Sequence, residues 1–182
     1  MPKRHARPAL PAQYSVWLLP DAATEPVLME TIARLSVLLG SPGFAPHVTV
    51  QGDIALPLEH LREPVQRWAD SCPPLRWPVA QVECGAQFFR CLYLRFPASA
   101  AFTTLQAFAH SSTGTSRGLS PFPHLSLAYG DPQADNAGLR SVLADEFGGR
   151  EVVFDQLAIF RSSKSVPIPQ WECLAQFPLA AS

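Results

Sequence analysis

Five residues recur in the two halves of this chain, first as Pro46-His47-Val48-Thr49-Val50 and again as Pro123-His124-Leu125-Ser126-Leu127. Each copy reads proline, histidine, aliphatic, hydroxyl, aliphatic. The aliphatic positions alternate with the polar ones at period two, the pattern of a half-buried strand, so imidazole and hydroxyl leave the same face. The leading proline fits the first residue of a strand, where no ladder donor is needed. Two such strands side by side would put two imidazoles and two hydroxyls into one cleft. At ordinary residue usage, two such matches among the five histidines arise by accident on the order of once in a hundred. The competing reading is a pair of core strands whose histidines are satisfied by neighbouring backbone.

A length of 182 residues allows one substantial domain, or two small lobes sharing a core. With 47% hydrophobic and 16% charged residues the sequence is that of a folded globular protein. The net charge of −1, with no basic run beyond Lys3-Arg4 and Arg7, argues against a large nucleic-acid footprint and leaves room for a small anionic ligand. Cys72, Cys84, Cys91 and Cys173 form neither a CxxC pair nor a metal-ligand spacing, so free thiols in a reducing cytosol are expected. No apolar run is long enough to cross a bilayer, and the basic start leads into proline-rich sequence without a signal-peptide core. A soluble, cytoplasmic protein with no membrane partner is the expectation.

Residues 1–12, polar and proline-rich, are expected to be a disordered tail, with 13–182 forming a single bilobal domain. Tyr14–Leu19 reads as a buried strand ended by Pro20. Thr24 or a neighbour caps a helix with Pro26 in its first turn, and Leu28, Ile32, Leu35 and Leu39 keep helical spacing until Gly40. The first histidine strand covers about 45–51, and a helix follows over about 58–71 with Leu61, Val65 and Trp68 on one side. Trp77–Cys84 and Gln87–Phe96 look like a hairpin joined at Gly85-Ala86. A third helix contains Phe102, Leu105 and Phe108, followed by a small, polar, mobile loop from Ser111 to Ser120 that carries Arg117. The second histidine strand spans about 122–129, a helix about 133–147, and two strands, about 151–161 and 170–177, end the chain. This near-duplication predicts an α+β fold of two similar lobes, with antiparallel sheets facing a central groove and helices outside.

Three chemistries compete for two histidines and two hydroxyls. Metal binding lacks a third ligand in matching context. Serine hydrolysis lacks a nucleophile elbow and an orienting carboxylate, since Ser126 lies mid-strand. Acid–base catalysis on a phosphodiester fits: near pH ~6.5 one imidazole removes a proton from water while the other donates to the leaving oxygen, each step contributing about 10²–10⁴-fold. Thr49 and Ser126 would donate to non-bridging phosphate oxygens, at roughly 1.5–3 kcal/mol for a charged acceptor. This scheme asks for no metal and no cofactor.

Taken together, Tyr14-Ser-Val-Trp-Leu-Leu-Pro-Asp21, Glu25-Pro26, Phe44-Ala-Pro-His-Val-Thr-Val50, Phe88-Phe-Arg-Cys-Leu-Tyr-Leu94, Pro123-His-Leu-Ser-Leu127 with Tyr129, and Trp171-Glu172 resemble the two-histidine phosphoesterase superfamily, specifically its plant and yeast cyclic phosphodiesterase branch. The resemblance implies catalytic roles for His47, Thr49, His124 and Ser126. It implies hydrolysis of ADP-ribose 1″,2″-cyclic phosphate, and opening of nucleoside 2′,3′-cyclic phosphates to 2′-phosphates, with RNA ends as further partners of a monomeric enzyme. Tyr129 would contact base or ribose, although strict alternation sets it opposite His124 unless the strand ends before Gly130. Trp17, Phe89 and Arg90 are the other substrate-binding candidates; for Trp17 a core role competes, and for Arg90 an exposed edge. Arg161 and Lys164 are candidates at the rim, while His60 and His110 fall on expected helix surfaces. Two alternatives stand beside this reading: the 2′,5′ RNA ligase type of the same superfamily, and a non-catalytic module that binds a nucleotide or RNA end.

Overall fold

The structure, a computed structural model, describes residues 13–131 and 136–180; the expected disordered tail, and the first residues of the expected helix at 133–147, lie outside them. The elements run β1 (Tyr14–Pro20), α1 (Glu25–Leu39), β2 (Val48–Ile54), α2 (Glu59–Asp70), β3 (Leu75–Pro78), β4 (Gln81–Gln87), β5 (Arg90–Arg95), α3 (Ala100–Thr113), β6 (His124–Ala128), α4 (Ala137–Phe147), β7 (Glu151–Arg161) and β8 (Glu172–Pro178). Among the described residues no helix is long and apolar enough to cross a membrane.

Local chemistry explains most boundaries. The Asp21 carboxylate accepts the Thr24 N–H at 2.8 Å, Pro26 sits in the first turn of α1, and Gly40 closes the helix at φ 62°, a left-handed conformation that glycine adopts without a Cβ penalty. Leu28, Ile32 and Leu35 are buried on one stripe. Ser99 accepts the Phe102 N–H to start α3, and Gly114 ends it at φ 69°.

All strand neighbours are antiparallel, in the order β3-β7-β1-β2-β6-β5-β4, and β8 continues along the edge of β7 beyond β3. The sheet is open and has two halves. Strands β1, β2, β3, β7 and β8 make one, β4, β5 and β6 the other, and the halves meet where Val48 pairs with Leu125. The repeated unit is strand, helix, histidine strand: β1-α1-β2 and β5-α3-β6. Each helix packs beneath the other half's histidine strand, α1 on β6 and α3 on β2, so the lobes share one apolar core. The expected α+β fold with antiparallel half-sheets and a duplicated plan is what the chain adopts.

One connection differs. The expected hairpin turn at Gly85-Ala86 lies inside β4, and the turn is Phe88-Phe89. Gly85 occupies a register shift between Cys84 and Gln87, where an added Cβ would fall 2.3 Å from the Arg90 carbonyl oxygen, so it serves a bulge and not a turn. Upstream, Leu75–Pro78 is a separate strand on β7, and the chain crosses to the other half at Val79-Ala80.

Candidate active site

His47 stands just before β2 and His124 opens β6. Because Val48 and Leu125 pair antiparallel, their flanks bring His47 toward Ser126 and Thr49 toward His124. A cavity of about 260 Å³ opens above this junction, lined by all four motif residues together with Trp17, Phe89, Arg90, Tyr129 and Lys164. Arg161 is instead paired with Glu172 at 2.8 Å, and Arg117, His60 and His110 are exposed away from the cleft.

The two rings are held alike. Nδ1–H of His47 donates to the Ala45 carbonyl at 2.7 Å, and Nδ1–H of His124 donates to the Phe122 carbonyl at 2.9 Å. The backbone thus satisfies one nitrogen of each ring and fixes its tautomer, and the other, Nε2, has no partner among the described residues. The core-histidine reading describes one side of each ring, and the other side is left open to a ligand. Burial lowers the pKa of His47 to about 3, opposed by the Ala45 bond and reinforced by the positive form of His124. Burial also lowers His124, to about 4; the Phe122 bond and the Glu83 carboxylate oppose this, and Arg90 and Arg95 add to it. In the unliganded protein both rings are therefore neutral at pH ~7. One ring neutral and one protonated, as expected from the residues alone, requires a negative charge between them.

The walls separate the two halves of the site. Trp17, opposite Thr49 on β1, lies flat on the His47 ring with centroids 3.5 Å apart and planes 7° apart, and Phe160 covers its other face at 3.9 Å. Both faces of the indole are occupied, so Trp17 holds His47 in place and offers a ligand only an edge. His124 instead meets the Tyr93 ring edge-on at 5.4 Å and Phe122 at 5.2 Å. Tyr93 donates its hydroxyl to Glu83, which also pairs with Arg95 at 3.3 Å, and the Arg90 guanidinium lies 4.9 Å from the Phe122 ring centroid. Tyr129 follows the last residue of β6 and so escapes the alternation. It is 3% exposed, stacked on Phe44 at 3.8 Å, and touches the cleft beside Phe89 and Trp171. Burial pushes its hydroxyl pKa far up, which keeps it a neutral donor.

The hydroxyls are not equivalent. Ser126 donates to the Phe89 carbonyl at 2.8 Å, whereas the Thr49 hydroxyl has no protein partner among the described residues. The loop expected to be mobile is fastened. Gln51, wholly buried on β2, donates to the Thr115 and Arg117 carbonyls at 3.1 and 2.8 Å, and the Gly52 N–H donates to the Gly118 carbonyl at 2.8 Å. Gly118, at φ 77°, lies so close that a Cβ would meet the Gly52 oxygen at 1.8 Å. This loop delivers Ser120, whose hydroxyl donates to the Phe122 carbonyl at 3.0 Å and sits 3.3 Å from His124 Nδ1. Sequence reasoning did not select Gln51, whose partners are remote in the chain, nor Ser120, Glu83 and Tyr93, whose partners lie nearer but carry no motif of their own. The only local signal was a polar Gln at the position following the aliphatic Val50. Among the described residues no third His, Cys, Asp or Glu joins the histidine pair to complete a metal-ligand set.

A duplicated α+β fold with one histidine and one hydroxyl from each half in a shared groove defines a two-histidine phosphoesterase. The same architecture appears in a solved protein of Thermus thermophilus (14% identity, 93% of this chain and 99% of that one, TM-score 0.63) and in E. coli LigT crystallised with phosphate (13% identity, 94% and 99%, TM-score 0.58). Residues 13–171 match the family described as cyclic phosphodiesterase-like protein, and the cyclic phosphodiesterase of Arabidopsis thaliana is 25% identical over 167 residues, 89% of this chain and 92% of that protein. The chain belongs to the cyclic phosphodiesterase-like family and is a phosphoric diester hydrolase.

Proposed function

We propose that residues 13–182 act as one bilobal, monomeric, metal-independent cytoplasmic enzyme that hydrolyses ADP-ribose 1″,2″-cyclic phosphate and opens nucleoside 2′,3′-cyclic phosphates to 2′-phosphates. The observation that carries this reading is the shared cleft, in which two imidazoles, each anchored through Nδ1, keep Nε2 without a protein partner. An anionic cyclic phosphate between the rings favours the imidazolium form of one of them. The neutral ring then takes a proton from water as its oxygen bonds to phosphorus. The bond from phosphorus to the 3′ oxygen breaks, and the protonated ring gives its proton to that oxygen. Thr49 donates to a non-bridging oxygen, and Ser126 does so on exchanging its bond to Phe89. The shape of E. coli LigT, crystallised with phosphate and also with 3′-AMP, supports a small nucleotide ligand. It equally favours a second reading, a 2′,5′ RNA ligase or phosphodiesterase.

The test is incubation of purified protein in excess chelator with ADP-ribose cyclic phosphate, each 2′,3′-cyclic nucleotide, and a 2′,5′-linked oligonucleotide. Turnover of the cyclic compounds alone supports the first reading. Turnover of the oligonucleotide alone replaces it with the second.

A further inference from the structure

The antiparallel pairing of Val48 with Leu125 gives the groove a direction. Beyond His47 and Ser126 it runs into rings, Tyr129, Phe89 and Trp171; beyond Thr49 and His124 it runs into the polar backbone of Gly52 and Asp53. The segment after β7 closes this polar end. Ser15 donates its hydroxyl to the Ser162 carbonyl at 3.0 Å, and the Lys164 N–H donates to Asp53 Oδ1 at 3.5 Å. Ser162, Ser163 and Lys164 all line the cleft.

Two groups at this end are unspent. Ser162 is 2% exposed, yet its hydroxyl has no hydrogen-bond partner among the described residues, a costly condition for a buried donor unless a ligand supplies one. Lys164 takes part in none of the ion pairs among the described residues. Asp53, the non-glycine residue held at positive φ (50°) among those described, presents its carboxylate to the Lys164 amide and so positions the segment. Nucleotide geometry matches this polarity. On a ribose 2′,3′-cyclic phosphate the flanking C1′ and C4′ carry the base and the 5′ carbon, which diverge to opposite sides of the reacting edge. A base directed to the ring-lined end sends the 5′ substituent to Ser162 and Lys164.

We propose that the polar end of the groove, formed by Ser162, Ser163 and Lys164 against Gly52 and Asp53, is a second phosphate subsite that takes a phosphate borne on the 5′ side of the ribose whose cyclic phosphate lies between the histidines. The assignment rests on the phosphodiesterase reading for the orientation of the ribose. Lys164 supplies the charge and Ser162 the buried donor. The substrate class is thereby narrowed to 5′-phosphorylated 2′,3′-cyclic nucleotides, in preference to bare nucleoside cyclic phosphates; ADP-ribose cyclic phosphate, whose reacting ribose bears no base, fits through its 5″ diphosphate alone.

Calorimetric titration with adenosine 3′-monophosphate and adenosine 3′,5′-bisphosphate tests this without turnover. The bisphosphate should bind about 10-fold tighter to the native protein, a margin suited to a partly exposed charged contact. In Lys164→Gln, a change at an exposed side chain, the margin should collapse while affinity for the monophosphate stays within about 2-fold. In Asp53→Asn, which tolerates the same backbone, the bisphosphate affinity should not fall. Equal affinities in the native protein, a margin that survives Lys164→Gln, or a ~10-fold fall in Asp53→Asn each overturn the proposal. Hydrolysis of 2′,3′-cyclic AMP with and without a 5′ phosphate by the same preparations is scored separately: turnover without the margin sinks the subsite alone, and the margin without turnover of either compound sinks the phosphodiesterase reading alone. Binding of neither ligand overturns both. Comparing kcat/KM for 5′-phosphorylated 2′,3′-cyclic AMP and for ADP-ribose cyclic phosphate, native against Lys164→Gln, identifies which phosphate source loses rate; no loss for either counts against the subsite.

Discussion

Sulfate, whose own charge is constant over the range, should bind this protein far more tightly in mild acid than in mild base. In the unliganded protein burial holds His124 at about 4 and His47 at about 3. A unit negative charge ~4 Å from an imidazolium, at an effective dielectric constant of ~20, favours it by ~4 kcal/mol. At about 1.4 kcal/mol per pKa unit that is a rise of about three, which brings His124, the higher of the two, from about 4 to about 7 on anion binding. Between those values each binding event takes up one proton, so affinity should rise ~10-fold per pH unit, or ~100-fold from about pH 7 to about pH 5. Calorimetry in buffers of different ionisation enthalpy counts the protons directly, and near pH ~5.5 the count should approach one. In His124→Ala the uptake should move to lower pH, because the same rise carries His47 only from about 3 to about 6, and it should survive unchanged near neutrality in His47→Ala. A pH-independent affinity with no proton uptake would refute the reasoning, because the rings would then not sense the anion. The same shift places the alkaline limb of a bell-shaped rate profile near neutrality in the substrate complex, where the ring that must donate its proton loses it.

Three further outcomes are expected. His47→Ala or His124→Ala should lower turnover of a cyclic nucleotide at least ~10²-fold with the circular dichroism spectrum retained, while Thr49→Ala costs less, of order 10-fold, as loss of a donor to a charged oxygen. Stability should fall as pH drops: the folded pKa of His47 lies below the usual 6.5, so its contribution is complete above that value and is lost as the pH falls toward about 3. The slope is up to about 1.4 kcal/mol per pH unit per buried histidine, read from urea midpoints, and a His47→Asn variant should flatten it. Trp17→Ala should remove the ring between His47 and Phe160 and cost about 3–5 kcal/mol, with Trp17→Phe much milder in the same denaturation experiment.

What could be read from the chain alone was whatever chemistry is local. Alternation in Pro46–Val50 and Pro123–Leu127 determined two strands with imidazole and hydroxyl on one face, and Pro26 and Gly40 marked the ends of the first helix, since strand periodicity and capping involve only near neighbours. The likeness of the two copies carried the duplicated plan with them. Remote packing decided the rest. The stacking of Trp17 between His47 and Phe160, the anchoring of the 115–118 loop by Gln51, and the crossing of the chain at Val79-Ala80 depend on residues far apart in sequence, with no local trace beyond the polar Gln51 itself. Most consequentially, the charge state of the histidines belongs to the fold: an imidazole's pKa follows from how much water its surroundings exclude, and only the assembled core sets that.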